Sequence, residues 1–234
     1  MFTFDPQKIL EILICIPIVL LSLSVHEVAH GYAAYKFGDP TAKNFGRLSL
    51  NPLKHIDPIG ALCMLLFRFG WAKPVPINTR YFKNPRRGMA LSALAGPVSN
   101  LLLSFPAFVI YKYLSAYNEN HKLFYWYLGN SNVMFENETG KILYILCLFF
   151  YMFFALNVSL AVFNFLPVPP LDGSRILFVF LPDKLYFGVM KYEQIISIGI
   201  LGALYIGLLD APLNFTFELF EKLFTSITQF LPYL

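Results

Sequence analysis

The chain has 234 residues, of which 57% are hydrophobic, 18% aromatic and only 14% charged. Soluble domains carry nearer a quarter charged residues, so this composition excludes an ordinary soluble protein, and the length suits one compact membrane domain over residues 1–234, without a second large soluble one. The net charge of +4 is unevenly placed: ten of the eighteen Lys and Arg are Lys36, Lys43, Arg47, Lys54, Arg68, Lys73, Arg80, Lys83, Arg86 and Arg87, opposed there only by Asp39 and Asp57. Nucleic-acid binding would explain such a stretch in a soluble protein; between two membrane spans the positive-inside rule explains it better and turns the segment to the cytoplasm.

A span needs about 20 apolar residues. The run from Ile9 to about Tyr35 qualifies, with Pro17 as a candidate kink. In its second half stands Val25-His26-Glu27-Val28-Ala29-His30-Gly31. The spacing puts His26 and His30 one helical turn apart on one face. Two imidazoles so placed can share one zinc ion, and Glu27 beside them can take a proton from water at the ion's open position. The bland alternative is a polar patch for helix packing. Against it, two histidines and a glutamate in an oily helix are expensive and need a reason. Because the first apolar run carries this motif, it is not expected to be a removable signal.

After Gly38-Asp39-Pro40 comes a polar stretch with turn signals at Asn51-Pro52 and Asp57-Pro58. Ile59 to Phe69 is apolar but too short to span, and Lys73-Pro74-Val75-Pro76-Ile77-Asn78 suits an extended segment. Together they read as a re-entrant hairpin from the cytoplasmic side, whose strand edge could pair with an extended substrate. A second span runs from about Gly88 to Tyr113. One face of it is small (Ala90, Ser92, Ala93, Ala95, Gly96, Ser99), which allows close helix approach. Gly96-Pro97 should loosen it. Asn100 reads first as an interhelical hydrogen-bonding group and second as a substrate contact.

Residues 114–140 are polar and aromatic, and from Lys112 to Lys141 three bases balance three acids, as on the outer face. The third span runs from about Ile142 to Phe165 and ends in Asn164-Phe165-Leu166-Pro167-Val168-Pro169-Pro170-Leu171-Asp172-Gly173. The prolines stop the helix. Counting spans returns this turn to the cytoplasmic side, at the depth of the two histidines. Asp172 is therefore favoured as a third zinc ligand over its other reading, the N-cap of residues 174–181. Asn164 either hydrogen-bonds substrate backbone or an oxyanion, or caps the third span. His55 reads as a solvated loop histidine, with a fourth, regulatory ligand to the metal as the alternative. A marginal fourth span follows, about Glu193 to Leu209. From Leu213 on, Phe217, Phe220, Phe224, Ile227 and Leu231 form one apolar face. That face belongs to an amphipathic helix lying on the outer surface or packed against the bundle. The fold class expected is all-α and polytopic: about four transmembrane helices, a re-entrant hairpin and a C-terminal amphipathic helix, with a core at about 9–180 and the last span and helix at about 193–232.

His26-Glu27-Val28-Ala29-His30, the stretch Ala95-Gly96-Pro97-Val98-Ser99-Asn100 and the segment Asn164 through Gly173 together resemble the site-2 protease family of intramembrane zinc metalloproteases. The resemblance implies one zinc ion per chain on His26, His30 and Asp172, Glu27 as catalytic base and Asn164 in substrate binding. It implies single-span transmembrane proteins as substrates, often anti-sigma factors or membrane-bound transcription factors trimmed first by another protease. The length leaves no room for PDZ or CBS domains, so the chain is similar to the small, minimal branch of that family. The expected location is the bacterial cytoplasmic membrane with the active site toward the cytoplasm. The partners expected are substrate and lipid bilayer, not nucleic acid, and the sequence admits a homo-oligomer. The competing functions are an intramembrane zinc transporter or channel, for which Glu27 has no needed role, and an inactive relative that binds membrane segments without cutting them.

Overall fold

A computed structural model describes residues 6–58, 60, 72–126 and 133–229. Its frame is three long helices: α1 (Pro6–Lys36), α3 (Pro85–His121) and α4 (Glu138–Phe165), with the single-turn α2 (Thr41–Asn44) after α1. Among the described residues, three helices are long and apolar enough to cross a bilayer: Ile9–Lys36, Pro85–His121 and Glu138–Phe165. They match the first three expected spans, with ends that differ for local reasons. Asn84 accepts from the Arg87 amide at 3.1 Å ahead of Pro85 at the first turn, so α3 starts early. It ends at Lys122, whose left-handed backbone (φ 50°) closes the last turn. α4 starts at Glu138 because Asn137 caps it, accepting from the Gly140 amide at 2.9 Å.

α1 runs through Pro17, and α3 through both Pro97 and Pro106, without a helical break; the loosening expected at Gly96-Pro97 does not interrupt α3. What that region supplies instead is close approach. Gly88, Ser92, Gly96, Asn100 and Ser104 recur every fourth residue along α3, and all are buried. This row of small and polar side chains lets α1 and α4 pack on α3, the device used where lipid tails remove any hydrophobic drive between helices. At the other end, Asn118 exchanges two hydrogen bonds with the backbone of Phe124 (3.0 and 3.2 Å). This holds a two-stranded antiparallel hairpin, β1 (Phe124–Trp126) with β2 (Val133–Phe135).

Beyond α4, the segment 166–171 contains a cis Pro169–Pro170 bond and leads into the short α5 (Asp172–Leu177). Then come α6 (Asp183–Met190), α7 (Glu193–Tyr205) and α8 (Asp210–Ile227). The fourth span expected at 193–209 is not formed by α7 as one straight helix. α7 has 13 residues, about 20 Å of helix, short of a bilayer core of about 30 Å. Only when Lys184–Met190 is joined to Glu193–Leu204 across a 63° bend does the pair reach spanning length. α8 is the amphipathic helix expected, and it packs against the bundle. Phe217, Phe220 and Phe224 lie on the cluster of Ile14, Ile18, Phe108, Phe153, Phe154 and Val158, with Phe224 edge-on to Phe105 at 5.2 Å. Of the expected re-entrant hairpin, the apolar part from Ile59 to Phe69 lies outside the described residues, apart from Gly60. Its second part, residues 73–78, contains no helix or ladder strand, and Asn78 has extended backbone angles (φ −115°, ψ 102°).

Candidate metal centre

The helix period brings His26 and His30 together, as their spacing requires. Their Nε2 atoms are 2.9 Å apart and their rings perpendicular. Both residues are buried, at 6% and 7% exposure. The proline-rich turn after α4 carries Asp172 to the same point, and its Oδ2 lies 3.2 Å from each Nε2. Among the described residues this is the one group of three such side chains whose potential ligand atoms lie within 4.8 Å of one another. Asp172 is the first residue of α5; the capping position is Leu171, so the N-cap alternative is set aside.

Two glycines make this convergence sterically feasible. A Cβ on Gly96 would overlap both imidazoles, so α3 can back the pair only with a hydrogen there. A Cβ on Gly173 would collide with the carbonyl oxygens of Phe165 and Leu166, so the turn can fold back onto the end of α4 only without one. These are close-approach glycines of the sort that small-residue faces provide.

The far ring nitrogens are held as well. His30 Nδ1 lies 2.7 Å from the Ser92 carbonyl oxygen, and His26 Nδ1 lies 2.6 Å from Asn100 Oδ1. Each Nδ1–H donates, which leaves Nε2 with its lone pair toward the shared point, the arrangement metal-binding histidines need. Asn100 itself is fully buried, and its Nδ2 donates to Asn157 Oδ1 at 2.8 Å. With both ends taken up by protein groups, the substrate-contact reading of Asn100 is corrected. It orients His26, and its interhelical reading holds.

Glu27 meets a different segment. Its Oε2 accepts from the Val75 backbone amide at 2.8 Å, so residues 72–78 run as a strap along α1 beside the histidines. The strap is pinned throughout. Lys73 N donates to His55 O at 2.8 Å, the Lys73 carbonyl accepts from Arg47 at 2.7 Å, and Asn78 N donates to Asp39 Oδ2 at 2.6 Å. Asp39, fully buried, also accepts from the Thr41 amide and hydroxyl. The strap's approach depends on Gly31, where a Cβ would stand 2.9 Å from both Val75 Cγ1 and Leu48 Cδ2. Substrate pairing along this edge is corrected in one respect. Pro74 and Pro76 have no N–H, and that of Val75 is on Glu27, so residues 74–76 present no free amide to a paired chain.

His55 is not with the metal cluster. It is buried at 2% exposure with Nε2 2.7 Å from the Ser49 carbonyl, so it is neither a solvated loop histidine nor a fourth ligand here; it ties the loop that carries the strap. Asn164, half-buried, turns its amide back to Leu160 O at 2.9 Å along its own helix, and α4 continues past it to Phe165. Sequence reasoning passed over Asn157, Ser22, Asp39 and the Val75 amide. The first was signalled by the same rule that flagged Asn100, a lone amide in an apolar helix.

A model of the family described as Peptidase family M50 matches residues 14–204. YwhC of Bacillus subtilis is 43% identical over 176 residues, 75% of this chain and 72% of that protein. Rip2 of Mycolicibacterium smegmatis is 30% identical over 160 residues, 66% of this chain, and the match spans about half (52%) of Rip2. Both relatives are named as putative zinc metalloproteases. No solved structure matches the chain.

Proposed function

This chain belongs to peptidase family M50, the site-2 protease family, and we propose that it is an intramembrane zinc metalloprotease that hydrolyses peptide bonds within or near transmembrane segments of single-span proteins. The observation that carries this reading is the meeting of His26, His30 and Asp172, from two helices about 140 residues apart in sequence, with Glu27 on the adjoining turn of α1. The donor set suits zinc: two imidazoles with committed Nδ1 protons and one carboxylate make a three-ligand site that leaves a fourth position open. When bound there, zinc polarises a carbonyl and lowers the pKa of water at the open position from 15.7 to about 7.

The chain's own residues do the rest. His26, His30 and Asp172 hold the ion. Glu27 takes the proton from the attacking water and delivers it to the leaving amine nitrogen, while Val75 N–H fixes one carboxylate oxygen so that the other faces the reacting groups. Asn164, one helix end from Asp172, is the candidate to hydrogen-bond the substrate backbone. The basic segment 36–87 sets the site toward the cytoplasm of a bacterial cell, and water enters from that side. A fourth crossing formed by α6 and α7 completes the proposed topology.

Glu27→Gln tests the reading. The variant should keep zinc and lose cleavage by about 10²- to 10⁴-fold, and membrane-protein stubs should accumulate in cells that carry it in place of the wild type. Unchanged cleavage by Glu27→Gln would remove the protease reading. Zinc uptake into proteoliposomes without proteolysis would replace it with transport.

A further inference from the structure

Resting on the zinc-site reading above, we propose that Asn157 is a positioning residue for the metal site. Through Asn100, it sets which nitrogen of His26 carries the proton. Asn157 lies on α4, fully buried, and its hydrogen bonds run to Asn100, Ser22 and Phe153 rather than to a histidine or Asp172. Its Nδ2 is 2.8 Å from the Phe153 carbonyl oxygen and 2.9 Å from Ser22 Oγ. A backbone carbonyl can only accept, so the amide nitrogen must face Phe153. The Asn157 oxygen is thereby turned toward Asn100, 2.8 Å from Nδ2. That oxygen also only accepts, so Asn100 must offer its NH2 there and present Oδ1 to His26. Oδ1 stands 2.6 Å from His26 Nδ1 and forces the proton onto Nδ1, leaving the lone pair on Nε2, the atom that faces His30 and Asp172.

Each link has one polarity, and its origin is a main-chain carbonyl that cannot be inverted. Flipping either amide sets oxygen against oxygen or NH2 against an Nδ1–H. His30 reaches the same result in one step, because Ser92 O meets its Nδ1 directly. His26 has no carbonyl in that position and receives its instruction through two side-chain amides on two helices. Without Asn157, the Asn100 amide is free to rotate and donate to Nδ1, which favours the Nε2–H tautomer that cannot ligate.

The test uses the full chain in detergent or nanodiscs, with Asn157→Leu, and two readouts that do not depend on proteolysis. One is zinc affinity by chelator competition; the other is ring ¹⁵N NMR of the metal-free protein, which has four histidines. The wild type should show His26 with its proton on Nδ1. Asn157→Leu should populate the Nε2–H form and bind zinc about 10- to 100-fold more weakly. Adding Asn100→Asp to Asn157→Leu should restore affinity to within a few-fold of wild type, because a carboxylate only accepts and needs no orienting partner. A purely structural role for Asn157 would leave the double variant as weak as the single one. Wild-type tautomer and wild-type affinity in Asn157→Leu would overturn the proposal. So would a bare His26 Nδ1 in the wild type, a measurement that stands even if the variants do not fold. Failure of these tests alongside a cleavage-dead, zinc-bound Glu27→Gln would leave the protease reading standing.

Discussion

The two sides of the histidine pair are built differently. Behind it, in the bundle, lie side-chain groups whose hydrogen bonds link three helices: Ser22 on α1, Asn157 on α4 and Asn100 on α3. In front of it lies an extended strap whose contact with Glu27 is one main-chain amide set between two prolines. Under the proposed function, the back wall controls how the metal is held, since its chain ends on a proposed ligand nitrogen, and the strap controls how the proposed base is aimed, since it ends on the Glu27 carboxylate. A buried side-chain network is costly if half satisfied, so the first side tolerates little. A pinned loop can shift and still donate, so the second should be the more forgiving.

Substitutions at the two sides should accordingly separate zinc binding from turnover. The largest effect is expected at Gly96→Ala, which puts a methyl group into both imidazoles; zinc affinity should fall on the order of 100-fold, read by chelator competition. Gly173→Ala should come next. Its methyl group pushes α5 off the end of α4 and carries Asp172 with it, so zinc should be held tens of times more weakly, about the middle of the range for overpacking. Val75→Pro removes the amide bonded to Glu27 while keeping an extended backbone. Turnover should drop about tenfold, the lower end for a hydrogen bond to a charged group, with zinc affinity unchanged. If Val75→Pro weakened zinc as much as Gly173→Ala does, the division between the two sides would be wrong. Val75→Ala, which keeps the amide and trims only the contact with the Gly31 region, should cost the least, a few-fold in turnover by the same assay.

Much of the centre could be read from the order of residues. The one-turn spacing of His26 and His30, the neighbouring Glu27 and an aspartate beyond a proline stop are local patterns, and polar groups in apolar helices announce themselves by their cost. The three long spans were equally plain, because length and apolarity alone define them. Less visible were the features that depend on what lies across the interface. Asn100 has the same side chain whether it meets a substrate or His26; its partner sits on another helix. His55 gives no hint in its own segment that Ser49 O will bury it. The fourth span failed as a straight helix because periodicity does not report a 63° bend, and α8 could have faced lipid or the bundle until Phe105, Phe108 and Phe154 were found beneath it.

The sequence by itself determined that this is a helical membrane chain, that α1 presents two imidazoles on one face beside a carboxylate, and that a proline turn delivers Asp172 after the third long helix. Those properties follow from residue type and short-range spacing. Only the tertiary structure decided that Asp172 lies 3.2 Å from both histidines, which oxygen each Nδ1 meets, and that Val75 holds Glu27. Each of these is a hydrogen bond or near contact between segments dozens of residues apart, and its direction is set by the partner across the interface.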